Sequence, residues 1–130
     1  AVLIDFGAAR RVLSKEAGFV RPMYTPGFAA PEMHRRDLAL GPWTDVYAIG
    51  ACIFACMLGM PPHAASQRGA ADRLGVALAR LRGVYSDNLI ELVEWCMALQ
   101  PQARPQSVLV LQKELACEQE CGCADGGGPR

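Results

Sequence analysis

A chain of 130 residues, 52% hydrophobic and 20% charged, can bury one core and is too apolar for a disordered coil. Its 13 Lys and Arg balance 13 Asp and Glu, so no overall field favours nucleic acid or a membrane surface. Of 6 cysteines, Cys52 and Cys56 sit in an apolar run and Cys96 in an amphipathic one, where thiols act as small hydrophobes. Cys117, Cys121 and Cys123 lack the paired spacing of a zinc site, so reduced thiols of a cytoplasmic protein are expected.

Ala1-Val2-Leu3-Ile4 reads as a buried strand that turns at Asp5-Phe6-Gly7. Residues 8–29 keep no period and carry Gly18, Pro22, Pro26 and Gly27, so they read as a long loop, a feature that usually serves a function. Arg10, Arg11, Lys15 and Arg21 against Glu16 make that loop basic. Pro31-Glu32-Met33-His34 opens a short helix, because proline suits a first helical position. After Gly41-Pro42, Thr44 is the expected N-cap of a helix running to about Leu58, with Asp45 favourably placed in its first turn. Apolar residues on every face predict a helix surrounded by protein, and Gly59 with Pro61-Pro62 stops it. The uncharged stretch Val46 to Met60, 15 residues, is short for a membrane span and suits burial.

A polar, Arg-bearing helix is expected over 69–82, with the arginines from Arg68 onward on a solvated face. Ser86 caps a helix that has Leu89, Leu92, Val93 and Cys96 at helical spacing. Gln100 to Pro105 reads as a loop, and Ser107 caps a last helix carrying Val108, Leu111 and Leu115 on one face. From about Cys117 the chain turns polar and ends in a Gly126-Gly127-Gly128 tail. Trp43 and Trp95 read as packing anchors, and His34 and His63 as surface residues with no nucleophile near them in sequence.

Several of these patterns gain meaning together. Asp5-Phe6-Gly7 and Ala30-Pro31-Glu32 are separated by 22 residues, 8–29. Thr25-Pro26-Gly27-Phe28 precedes the second triplet, and Asp45-Val46-Tyr47-Ala48-Ile49-Gly50 follows it. Cys96-Met97 then leads to Pro101, Arg104-Pro105 and Ser107. In this order the patterns resemble the activation segment, docking loop, helix F and final segment of serine/threonine protein kinases, bacterial ones above all. The resemblance implies a mainly α chain over residues 1–116, the C-terminal helical lobe of the α+β protein-kinase fold truncated at its N-terminus, with 117–130 as a flexible tail.

The resemblance also implies roles. Asp5 would bind Mg²⁺ bridging the phosphates of ATP, with Phe6 and Gly7 fixing its position; a carboxylate is the hard oxygen donor that Mg²⁺ takes. Thr25 would sit beside the catalytic base and select serine or threonine hydroxyls of a protein substrate. Glu32 and Arg104 would form a buried ion pair between docking loop and lobe, and Asp45 would accept hydrogen bonds from the catalytic-loop backbone. Ser14 and Thr25 are candidate phosphosites, since a phosphate there could pair with Arg10, Arg11 or Arg21. No Gly-rich loop, ATP-anchoring Lys or catalytic base has a counterpart here. The chain alone is therefore expected to transfer no phosphate and to leave apolar helix surface uncovered. A pseudokinase that binds without reacting is the alternative, and an unrelated helical domain would leave Glu32 and Arg104 far apart. Neither a nucleic acid partner nor a membrane segment is implied.

Overall fold

The computed structural model describes residues 24–35, 37–69 and 72–121. The expected strand at 1–4, the Asp5-Phe6-Gly7 turn, Ser14 and Cys123 lie outside those residues. Along the chain a 3₁₀ turn, Pro31–His34, leads to α1, Pro42–Leu58, and a second turn, Ala65–Gln67, leads to α2, Leu74–Ala79. Next come α3, Asp87–Cys96, a third turn, Pro101–Ala103, and α4, Val108–Cys121. Among the described residues the only β pairing is one isolated bridge, Arg82 to Tyr85. No helix among them is long and apolar enough to cross a membrane.

Helix α1 starts before Thr44. Pro42 takes the first helical position, Gly41 caps it in extended backbone, and Thr44 falls inside the first turn. Steric room decides this, because the Trp43 ring lies where any Cβ on Gly41 would fall, 2.4 Å away. Thr44 still serves the helix start, since its Oγ1 accepts the Gly41 N–H at 3.2 Å. At the far end Gly59 adopts φ +71°, the left-handed conformation that closes helices cheaply only as glycine.

Val46, Tyr47, Gly50, Ala51 and Phe54 form the buried side of α1. Cys52 and Cys56 are exposed, so among the described residues α1 is covered on one side and not all round. That cover comes chiefly from α3, with Leu111 of α4 joining Val46, Leu92 and Cys96 in one cluster. A Cβ on Gly50 would fall 2.6 Å from the Cys96 Cβ and 2.9 Å from the Met97 Cγ, so α3 lies almost against the α1 backbone. Glycine within a helix costs about 1 kcal/mol relative to alanine, and here that cost permits the close approach.

Helix α3 follows its cap signal, while Ile90 takes the fully buried place expected of Leu89, which is half-buried. The Ser86 hydroxyl accepts the Leu89 N–H at 3.2 Å, and Ile90, Leu92, Val93 and Cys96 are buried. The arginine-bearing helix expected over 69–82 is only α2, which buries Leu74 and Leu78. On α4 the Ser107 hydroxyl accepts the Val110 N–H at 3.3 Å. Leu111 is buried there and Leu115 packs beside it, but Val108 is 39% exposed, so the expected stripe loses its first member. Helix α4 continues to Cys121, past the expected start of the tail.

Candidate functional site

Residues 24–30 form a loop with a wet tip and a buried base. Tyr24, Thr25 and Pro26 are exposed, whereas Gly27, Ala29 and Ala30 are buried. The Phe28 N–H donates to the Thr25 carbonyl at 3.1 Å, which closes the turn. Gly27 at its centre has φ +92°, and a Cβ there would fall 2.5 Å from the Pro62 carbonyl oxygen. Both backbone conformation and space therefore exclude a side chain, and the loop is seated on the connection after α1. The Tyr24 ring meets His34 edge-on, with centroids 4.5 Å apart.

Below this loop the structure brings together Glu32 and Arg104, which stand 72 positions apart in the sequence. Both side chains are fully buried. Arg104 Nη1 donates to Glu32 Oε1 at 2.8 Å and Nη2 to Oε2 at 3.0 Å, the two-pronged geometry in which guanidinium fits carboxylate best. The remaining N–H groups go to backbone: Nε to the Ala98 carbonyl at 2.6 Å, Nη1 to that of Trp43 at 3.2 Å, and Nη2 to that of Leu99 at 3.1 Å. All five donors of the guanidinium are thus satisfied. The Thr44 hydroxyl donates to Glu32 Oε1 at 2.9 Å, and the Tyr47 ring lies 4.9 Å beneath the guanidinium carbon.

Burial by itself would raise the Glu32 carboxyl above its ordinary value of 4.5, yet the value is lowered. Hydrogen bonds from Arg104, the Glu32 backbone and Thr44, together with the Arg104 charge, outweigh the loss of water. The pair ties the turn at Pro31–His34 to the start of α1 and to the segment after α3. Such a pair adds little net stability when intact, but removing one partner strands a buried charge at a cost of roughly 3–5 kcal/mol.

Asp45 is exposed on the first turn of α1, and Thr25 is exposed at the loop tip. Asp5, Phe6, Gly7 and Ser14 lie outside the described residues. Among the described residues no group of three or more His, Cys, Asp and Glu is placed to hold a metal ion. Burial pushes the Cys96 thiol up to about 11, which leaves it an unreactive hydrophobe.

Arg68, read as part of a solvated face, is instead 4% exposed. Its Nε and Nη2 grip both oxygens of Asp72 at 3.1 and 2.9 Å, while Nη1 donates to the Tyr47 hydroxyl at 3.0 Å and the Met97 carbonyl at 2.8 Å. Asp72 also accepts the Leu74 N–H at 3.1 Å and so fixes the start of α2. Burial would lower Arg68, but Asp72 and Tyr47 raise it overall. No sequence signal marked this arginine, and Gly27 and Thr44 were visible only as residues of a turn and a helix start.

The family model described as protein kinase domain matches residues 2–116. Human mitogen-activated protein kinase kinase kinase 19 is 29% identical over 120 residues, covering 85% of this chain and 9% of that protein. Mouse ribosomal protein S6 kinase alpha-3 is 26% identical over 118 residues, covering 85% of this chain and 16% of its own length. Calcium-dependent protein kinase 10 of Arabidopsis thaliana is 39% identical over 82 residues, 62% of this chain and 13% of that protein. Among solved structures, PpkA-294 in its apo form superposes with a TM-score of 0.62 at 34% identity, over 70% of this chain and 31% of that one. The chain thus spans between 9% and 16% of the lengths of these curated relatives.

Proposed function

Since this chain belongs to the protein kinase family and forms the helical lobe of its fold, we propose that it is the substrate-docking part of an ATP-dependent serine/threonine kinase. The observation that carries this reading is the buried Glu32–Arg104 pair under an exposed loop tip. Phosphoryl transfer needs little covalent help from protein and much positioning. A lip that presents a hydroxyl must hold its place while peptide binds and leaves, and a fully satisfied buried ion pair supplies that rigidity. Thr25, exposed at the tip, is the residue we assign to meet the hydroxyl of the incoming residue. Asp45, exposed at the start of α1, offers a carboxylate to backbone N–H groups of a catalytic loop that these 130 residues do not contain.

Asp5 is the carboxylate we assign to Mg²⁺, whose oxygen preference it fits. The ion supplies charge neutralisation at the ATP phosphates when bound. Ser14 and Thr25 are assigned as regulatory phosphosites on the same reading.

The test is transfer from Mg-ATP by the full-length protein, with the labelled residues identified as serine or threonine. Arg104→Met in that protein is expected to lower transfer to peptide at saturating ATP while leaving nucleotide affinity unchanged. Nucleotide binding without any labelling would identify a pseudokinase. Failure to bind nucleotide at all would end the kinase reading. The 130-residue chain alone is expected to label nothing.

A further inference from the structure

A groove of about 280 Å³ opens between the C-terminal end of α1 and α2, and neither Glu32 nor Arg104 lines it. Phe54, Leu58, Leu74 and Ala77 line it, with Met60 and Val76 among its walls, each 59% exposed. Small-molecule and cofactor sites usually take about 300–1,000 Å³, so this volume suits a side chain or two better than a cofactor.

The charges of the lining that have no ion-pair partner among the described residues are those of two arginines. Arg73, Val76, Ala77 and Arg80 line it at positions i, i+3, i+4 and i+7, which is one face of a helix. Arg73 and Arg80 are exposed at the two ends of α2, and His63 is exposed beside them. Asp72 is the one carboxylate in the lining, and Arg68 already holds both its oxygens. The apolar floor is thus flanked by two exposed guanidinium groups. At about 1.5 Å per residue the two α2 arginines stand some 10 Å apart along the helix, and an extended chain covers about 3.3 Å per residue. Acidic side chains four residues apart share one face of such a chain with the residue midway between them, and at about 13 Å apart they lie within reach of both long arginine side chains.

We propose that this groove docks an extended acidic segment of a protein partner, with an apolar side chain inserted between two carboxylates. The occupant follows from charge complementarity over an apolar floor, and the inference stands apart from phosphoryl transfer because binding needs no nucleotide. Arg68 gives the groove a fixed wall, because its bonds to Asp72, Tyr47 and Met97 anchor the start of α2 to α1 and α3.

The experiment is fluorescence anisotropy of the full-length protein with three labelled twelve-residue peptides. One carries a central leucine flanked by glutamates, one the same leucine flanked by lysines, and one a central serine flanked by glutamates. The first is expected to bind, more weakly as salt rises, and the other two to bind at least about tenfold less well. Arg73→Glu with Arg80→Glu should reverse the preference towards the lysine peptide. Both residues are exposed, so an unchanged melting temperature will show that the fold persists. Equal binding of all three peptides, or an unchanged preference in the double variant, overturns the proposal. Self-association that the double variant abolishes, without peptide binding, also overturns it and makes a second copy the occupant.

Discussion

Arg104 and Arg68 occupy neighbouring parts of one core and behave as different devices. Each is nearly lost to solvent, at 2% and 4% exposure, and each donates to carbonyls of Met97 to Leu99, just past the end of α3. Tyr47 touches both, offering its ring to Arg104 and its hydroxyl to Arg68. The partners differ. Glu32 is fully buried, whereas the Asp72 side chain keeps 33% of its exposure. A buried pair is energetically all or nothing, while a pair at the solvent edge can give up one partner to water. Guanidinium burial alone therefore does not set the cost of losing it; the water access of the carboxylate does.

The largest expected effect is on the Arg104 side. Arg104→Met should destabilise the fold by roughly 3–5 kcal/mol in denaturant titration, because Glu32 then keeps its burial without its cation. The sign of the pH response should also invert. In the native chain the Glu32 carboxyl lies below 4.5, so the unfolded state binds more protons in that window. Stability is present above 4.5 and is lost as pH falls through the folded value. Without Arg104, burial is no longer outweighed and raises the Glu32 carboxyl, so the variant should gain stability as pH falls from 7. A variant that loses stability on acidification like the parent would show that Glu32 is not held as a buried charge.

Arg68→Met tests the second device and should cost less, about 2–3 kcal/mol. The loss lies mainly in the stranded Met97 carbonyl and Tyr47 hydroxyl, since an unsatisfied buried polar group costs about 1–3 kcal/mol. Asp72 can rehydrate. If the two methionine variants proved equally damaging, water access would not be what separates them.

The sequence made these two arginines unequally legible. Arg104 stands in a run, Arg104-Pro105 before Ser107, that has meaning in company with Glu32 and the Asp45-to-Gly50 stretch. Arg68 stands beside Gly69 in a polar stretch, and its burial is decided by Tyr47 and Met97, 21 and 29 positions away. Nothing periodic announces such a contact. Local chemistry was readable where it is self-contained, as in the Ser86 cap and the Gly59 stop. It misled where two signals competed. Pro42 after Gly41 marked the true start of α1, and Thr44 drew attention from it because hydroxyls usually cap. The short α2 escaped pattern reading because six residues hold too few turns to show a period.

Gly50→Ala examines what the two arginines share. The new Cβ would press on Cys96 and Met97, the residues from which the α3 carbonyl run begins. Overpacking costs about 1–3 kcal/mol and the better helix propensity of alanine returns about 1, so a net loss near 1 kcal/mol is expected. A double variant with Arg68→Met should lose less than the sum if α3 shifts, because the Met97 carbonyl would already have moved from its donor. Strict additivity would mean that the helix accommodates the methyl without displacing that carbonyl.

Asp72→Asn should produce the smallest change, under about 1 kcal/mol, since the site is partly open to water and an amide oxygen can still accept one Arg68 bond. Burial would raise the Asp72 carboxyl, but the Arg68 and Leu74 hydrogen bonds lower it below its ordinary 3.8. Its contribution is therefore present above that value and fades only as the medium becomes more acidic. The asparagine variant should flatten this acid response slightly while leaving the larger one from Glu32 intact. Melting curves of parent and variant between pH 7 and about pH 3 would separate the two, because only the smaller response belongs to the solvent-edge pair. If removing the Asp72 charge abolished the whole acid response, the contrast between a sealed pair and an open one would have its members reversed.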